Sequence, residues 1–190
     1  MRITGGFYKG RQILCPPGII RPAMDRMRES MFAILGDLTG TSFLDLYSGS
    51  GVVGIEAASR GAEPVVFVEK DPGKRAILSK NTSFVTQAKE IHITPAERYL
   101  ARFGGRAGRA GPFDHVFLDP PFRQKGTAEA VQLVRDSGVL AADGLLLVHL
   151  PREELLPEEQ TRRAGFLLAD RREYGRSVLL FYRRSVAAPP

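Results

Sequence analysis

Cysteine is all but missing: 190 residues contain one, Cys15. No disulfide framework is possible, which suits a reducing compartment. Long apolar stretches are missing too. The longest unbroken runs are four or five residues, such as 145–148, where a membrane span needs about 20. Met1 to Gly6 carries no apolar signal region. Histidine is scarce, and His92, His115 and His149 have no metal-ligand spacing with one another or with Cys15. They are expected on strand faces, and no metal is expected. No Gly-x-Ser-x-Gly elbow occurs. These absences lead to the expectation of a soluble, cytoplasmic protein without membrane association.

The composition is that of a globular chain, 43% hydrophobic and 25% charged. That excludes wholesale disorder, collagen and coiled coil, and the length suits one domain with a small appendage. Basic residues outnumber acidic ones 27 to 21, a net charge of +6, which favours a polyanionic partner. Arginine dominates the surplus, 21 against 6 lysines. Arginine forks phosphates and stacks on bases, although a GC-rich coding sequence yields the same excess.

The first residues read as two short strands, 2–5 and 11–14, joined through Lys9-Gly10, and Pro16-Pro17-Gly18 breaks the chain. Arg21-Pro22 introduces a helix over 24–35, with Met27, Met31, Ile34 and Leu35 at helical spacing and Gly36 as its stop. Then strands at 42–47, 64–69, 90–94, 115–118 and 144–150 alternate with helices at 51–60, 72–85, 96–103 and 127–137. Such alternation predicts a parallel sheet covered by helices on both faces. Segments 166–174 and 177–183 flank Gly175-Arg176 and predict an antiparallel hairpin. The glycine-rich patch 104–111 reads as a flexible insertion or an RNA contact, and 187–190 as a frayed tail.

Gly49, Gly51 and Gly54 fit G-x-G-x-x-G at a predicted strand-to-helix turn. Such a turn brings backbone close to a ligand, and the helix N-terminus offers free N–H groups. Glu69, 20 residues after Gly49, ends the next strand, where an acid can accept from ribose hydroxyls. A nicotinamide dinucleotide would satisfy these features, but Asp45 argues otherwise. A carboxylate aimed into the loop repels pyrophosphate and attracts an ammonium and a sulfonium, and S-adenosylmethionine carries both. A carboxylate that merely caps the loop is the plainer alternative.

Asp119-Pro120-Pro121-Phe122 ends the fourth core strand. Two prolines remove two backbone donors, leaving the Asp119 carboxylate and exposed carbonyls as acceptors. Phe122 offers a face on which a base can stack. An exocyclic amino group needs such acceptors. Its lone pair is delocalised into the ring, and hydrogen bonds to its N–H groups favour pyramidal nitrogen and stabilise its developing positive charge. A proline turn closing a strand is the alternative. Pyrimidine C5 methylation needs a cysteine nucleophile, and Cys15 is far from the motif in sequence.

With these residues in hand, the chain resembles the RsmD family of bacterial methyltransferases acting on a guanine N2 in 16S ribosomal RNA. The resemblance covers roughly Arg2 to Arg183. Its most specific part is Arg21-Pro22-Ala23-Met24-Asp25-Arg26-Met27-Arg28-Glu29-Ser30-Met31-Phe32, similar to the family's R-P-x-x-D-R-x-R-E-x-x-F. Arg2-Ile3-Thr4-Gly5-Gly6 with Lys9-Gly10-Arg11 also matches, and so do 45–54 and 119–122, which many amino-methyltransferases share. The resemblance implies an α/β, Rossmann-like S-adenosylmethionine-dependent methyltransferase fold. That fold has a seven-stranded, mostly parallel sheet with a reversed last strand, plus an N-terminal β-hairpin and helix. It divides the chain into an RNA-engaging extension (1–36), a methyltransferase domain (37–184) and a disordered tail (185–190). The implied partner is 16S ribosomal RNA, naked or within a small-subunit ribonucleoprotein particle.

The site expectations follow. Asp119, Pro120, Pro121 and Phe122 are catalytic; Asp45, Gly49, Gly51, Gly54, Glu69 and Ala96 bind S-adenosylmethionine; Arg2, Lys9, Arg11, Arg21, Arg26 and Arg28 bind RNA. Arg28 is also within i,i+3 reach of Asp25, so one arginine is a candidate for a structural role. There is one departure. Where the family has Asp or Asn before Ala to bond the adenine amino group, this chain has Pro95, which leaves the Ala96 backbone or Glu97. Alternatives are an amino-methyltransferase of adenine N6 or protein glutamine, a nicotinamide-dependent oxidoreductase, and an RNA-binding module on an inactive fold.

Overall fold

The computed structural model describes residues 1–15, 22–103, 112–120, 127–155 and 157–185. Helix α1 (Pro22–Leu35) precedes β1 (Phe43–Leu46), α2 (Val52–Ser59), β2 (Val65–Glu69), α3 (Arg75–Thr82), β3 (Lys89–Ile93) and α4 (Ala96–Phe103). There follow β4 (Phe113–Leu118), α5 (Thr127–Ser137), β5 (Leu140–Pro151), α6 (Glu158–Arg163), β6 (Phe166–Tyr174) and β7 (Ser177–Arg184). Seven strands form one sheet in the order β3-β2-β1-β4-β5-β7-β6. β1–β2, β2–β3 and β4–β5 pair in parallel, and β7 runs antiparallel to both β5 and β6. This is the Rossmann-like sheet with a reversed last strand. The chain divides into two compact units, Met1–Ala96 and Glu97–Pro190.

In the first unit every residue of β1 and β2 is buried. Coverage on both faces is why these strands are mostly apolar rather than alternating, with Asp45 and Glu69 as their two buried carboxylates. Helix α2 is buried along its whole length. Gly54 lets it lie against β2, since a Cβ there would stand 2.4 Å from Phe67 Cε1. Helix α1 packs through Met27, Met31 and Phe32, whereas Ile34, expected on that face, is 42% exposed. The expected N-terminal strands contract to one bridge, Arg2 with Gln12. The chain between them turns where Phe7 N–H donates to Ser59 O at 2.7 Å. Gly6 (φ 74°) lies so close to α2 that a Cβ would meet Ser59 O at 1.8 Å.

In the second unit β7 is flanked on both sides, and Val178 to Tyr182 are buried. The β6–β7 hairpin turns through Gly175 (φ 61°) and Arg176, as the sequence predicts. Strand β5 begins at Leu140, four residues before the expected start at Gly144. The β4–β5 register shifts between Phe113↔Leu140 and His115↔Leu145, so an irregular stretch is absorbed inside the strand. The expected helix 72–85 splits into a short 3-10 turn, Pro72–Lys74, and α3, with the Asp71 carboxylate accepting from Gly73 N–H at 2.8 Å. The turn Arg152–Glu154 and helix α6 have no counterpart in the sequence reading. Residues 104–111 and 186–190 lie outside the described residues.

Candidate active site

After β1 the chain reverses through three left-handed residues, Tyr47 (φ 63°), Gly49 (φ 55°) and Gly51 (φ 80°), and α2 starts at Val52. Two of these are glycines, for which such φ carries no steric cost. Tyr47 is not, and its left-handed backbone is strain of the kind held at ligand-binding turns. Among the described residues, a Cβ at Gly49 would meet only Tyr47 O, at 3.9 Å, so the loop backbone is open to them there.

Two buried carboxylates brace this loop. Asp45, 1% exposed, accepts from Gly54 N–H at 3.0 Å. Gly54 is the third residue of α2, so its N–H is one of the helix's unpaired first-turn donors. Asp45 is therefore a helix-end acceptor that sets negative charge beneath the loop. Glu69, 4% exposed, accepts from Gly49 N–H at 2.8 Å through Oε2 and from Asp71 N–H at 2.9 Å through Oε1. Lys74 Nζ stands 3.5 Å from Oε1. Each carboxylate oxygen accepts more than one hydrogen bond, so both retain capacity for a ligand hydroxyl. Open backbone at Gly49, a carboxylate at the end of β2 and absence of any fixed cation in the loop sequence 47–54 fit an adenosyl sulfonium ligand. Ala96 opens α4 and is buried, just beyond Thr94, whose N–H donates to Glu69 O at 2.9 Å.

In the second unit Asp119 directly follows β4. Its side chain is 19% exposed, and its Oδ1 lies 2.9 Å from Nδ1 of His149, which is 1% exposed on β5. Pro120 is buried. Pro121 and Phe122 lie outside the described residues.

Of the basic residues expected to hold RNA, Arg2, Lys9, Arg11 and Arg26 are exposed. No acidic residue precedes Asp25 in the chain. Arg21 lies outside the described residues. Arg28 departs from the expectation: it is 2% exposed, with Nη1 on Asp25 Oδ1 at 2.9 Å, Nη2 on Arg2 O at 2.7 Å and Nε 3.4 Å from Glu56 Oε2. Its charge is spent inside the fold, so it belongs to the scaffold and not to a phosphate-binding surface.

Three residues escaped the sequence reading. Glu56, wholly buried on α2, accepts from Thr4 N–H at 2.9 Å, Gly5 N–H at 2.9 Å and Thr4 Oγ1 at 2.6 Å, and pairs with Arg60 at 3.3 Å. Its one signal was a charge inside the apolar run 52–58. Asn81, 3% exposed on α3, donates to Ser50 O at 2.8 Å and Leu14 O at 2.9 Å and accepts from Leu14 N–H at 3.0 Å. It ties the glycine loop to the N-terminal arm. His149 occupies a strand face, as expected, but its pairing with Asp119 depends on the β4–β5 register. Leu118 aligns with Val148, so the next residue of each chain shares the opposite face. Among the described residues no three His, Cys, Asp or Glu side chains gather as metal ligands, and no helix is long and apolar enough to cross a membrane.

The model of the family described as Conserved hypothetical protein 95 matches residues 1–183. A Bacillus subtilis protein named "Putative rRNA methyltransferase YlbH" is 33% identical, over 97% of this chain and 99% of its own length. The Escherichia coli protein named "Ribosomal RNA small subunit methyltransferase D" is 35% identical, over 83% of this chain and 78% of its own. The solved structure titled "Putative methyltransferase yhhF from Escherichia coli" superposes with a TM-score of 0.83 at 32% identity, over 98% of this chain and 99% of that one. More distantly, the structure titled "Crystal structure of SMU.776, a putative methyltransferase complexed with SAH" shares the fold at a TM-score of 0.70 and 14% identity, over 90% of this chain and 52% of its own.

Proposed function

The chain belongs to the Conserved hypothetical protein 95 family, the RsmD family, and from that membership we propose that it transfers a methyl group from S-adenosylmethionine to a guanine N2 in small-subunit ribosomal RNA. Ribosomal RNA methylation is the activity in the names of relatives that match 97% and 83% of this chain. The observation that carries the choice of an amino group is Asp119: a carboxylate directly after β4, followed by proline, partly exposed and held on one oxygen by His149.

S-adenosylmethionine supplies a methyl group on a sulfonium, electrophilic enough to be taken by a weak nucleophile. The residues of this chain do the rest. The Gly49–Gly51 backbone seats the methionine end, and the Glu69 carboxylate accepts from the ribose hydroxyls. Asp45 gives the loop negative charge suited to a cationic ligand. The Ala96 backbone or the Glu97 side chain meets the adenine, since Pro95 has no side-chain acceptor for the adenine amino group. Asp119 accepts from the guanine amino group and stabilises positive charge as it develops on nitrogen. Pro120 and Pro121 remove competing donors, and Phe122 stacks on the base. Residues 1–36 engage RNA through Arg2, Lys9, Arg11, Arg21 and Arg26, with the substrate presented as rRNA in a small-subunit particle.

The test is nucleoside mass spectrometry of rRNA from cells lacking the gene, before and after incubation of their small subunits with purified protein and S-adenosylmethionine. N2-methylguanosine should be missing and then restored. Appearance of N6-methyladenosine instead, or methyl incorporation into protein alone, would replace the guanine assignment.

A further inference from the structure

We infer that His149 is a positioning residue for methyl transfer: it fixes the Asp119 carboxylate so that one oxygen remains for the substrate amino group. The inference rests on the function proposed above and extends it to a residue that no sequence motif marks. Three observations carry it. His149 Nδ1 lies 2.9 Å from Asp119 Oδ1. The imidazole is 1% exposed whereas the carboxylate is 19% exposed, so the pair has a fixed inner member and an outer member that solvent or a ligand reaches. The two residues follow register partners Leu118 and Val148 of adjacent parallel strands, so backbone pairing itself sets their approach.

The chemistry follows from the donor and acceptor inventory. An ionised carboxylate has no proton to give, so the imidazole Nδ1–H donates and Asp119 Oδ1 accepts. The terminal torsion of an aspartate is broad and roughly two-fold. Left alone, the carboxylate at the end of β4 samples many orientations. With Oδ1 bound to a side chain that is itself locked in the sheet, Oδ2 has a defined direction. Acceptors pay off in catalysis only when they are preorganised toward the place where charge develops. No proton needs to leave His149 for this role.

The experiment compares wild type, His149→Leu and His149→Asn in single-turnover methyl transfer to small subunits, with S-adenosylmethionine affinity measured by calorimetry and folding by thermal melting. Misplacing a reacting group by about 1 Å costs on the order of a hundredfold in rate, so His149→Leu should lose ~10- to 100-fold in rate, with donor affinity within about threefold of wild type. His149→Asn keeps an N–H at nearly the position of Nδ1 and should recover most of that loss, even though it has no imidazole. The decisive arm is a cycle with Asp119→Ala. If His149 acts through Asp119, adding His149→Leu to Asp119→Ala should change the rate less than about twofold, because residues acting as a unit are not additive. An active wild type with His149→Leu equally fast, or full additivity in the cycle, overturns the positioning role alone. A wild type that methylates no RNA overturns the proposed function and this inference with it.

Discussion

Asn81 and Ser50 are joined by a 2.8 Å hydrogen bond, and the same Asn81 amide group donates to Leu14 O at 2.9 Å. One buried side chain on α3 thus holds the glycine loop and the N-terminal arm at once, while its Oδ1 accepts from Leu14 N–H. Asn81→Ala strands these backbone groups. Leaving a buried polar group unsatisfied costs about 1–3 kcal/mol, so the variant should lose roughly that much stability in urea unfolding. It should also bind S-adenosylmethionine more weakly, because Ser50 lies between Gly49 and Gly51. A variant with wild-type stability and affinity would show that the tie is dispensable.

Glu69 and Asp45 make separate demands on the cofactor. Glu69→Ala removes the acceptor for Gly49 and Asp71 N–H along with the ribose contact; Asp45→Ala removes the charge beneath the loop and the acceptor for Gly54 N–H. A charge-assisted hydrogen bond is worth roughly 1.5–3 kcal/mol, so each variant should bind S-adenosylmethionine about ten- to a hundredfold more weakly by calorimetry. Wild-type affinity in both, in protein that still melts cooperatively, would remove these acids from the cofactor site.

Arg28 and the exposed arginines should separate cleanly. Replacing Arg2, Lys9 and Arg11 together should flatten the dependence of RNA affinity on salt by about two units of log–log slope, since each phosphate contact on a single strand contributes about −0.7. Arg28→Ala should leave that slope alone and unfold the protein more easily. It removes one of the two cations beside the wholly buried Glu56 and leaves Arg60, so the loss should fall below the ~3–5 kcal/mol of a buried pair broken outright. Salt titrations of binding, set beside urea melts, decide the point. An unchanged slope in the triple variant would move the RNA surface elsewhere.

Where sequence and structure part company, the cause is long-range pairing. β2 is legible because both faces are covered and 65–68 is an unbroken apolar run, and β1 because only Asp45 interrupts its apolar residues. Helix α5 was legible at both ends from Thr127 to Ser137. Gly144 looked like a strand start, yet β5 begins at Leu140, because strand pairing tolerates an irregular register that local propensity does not encode. Asp45, Glu69 and Asp119 are legible as candidates because each lies in or directly after a strand, next to a readable motif. His149 was missed because its partner is fixed by how β5 aligns with β4. Asn81 and Glu56 were missed because their partners are backbone groups far away in sequence. For Arg28, the local Asp25 was visible but the buried Glu56 was not.

Asp119 should separate chemistry from binding. An acceptor on the guanine amino group matters most where nitrogen gains positive charge, so its contribution is larger in the transition state than in the ground state. Loss of one such preorganised partner typically costs about 100-fold or more in rate. Asp119→Ala should therefore slow single-turnover transfer by at least ~100-fold. S-adenosylmethionine affinity should hold, since Glu69 and the glycine loop bind that ligand. RNA affinity should hold too, since phosphate contacts dominate it. Phe122→Ala should differ by weakening capture of the base as well as the rate, since a stacking face is worth roughly 1–3 kcal/mol. Asp119→Asn is the sharper probe. Its amide oxygen can still accept from the guanine amino group, and its NH2 can face His149 only if the imidazole presents a bare Nδ1. The variant should retain measurable activity below wild type and above Asp119→Ala. Transfer by Asp119→Ala at the wild-type rate would reduce the motif to a proline turn that closes β4.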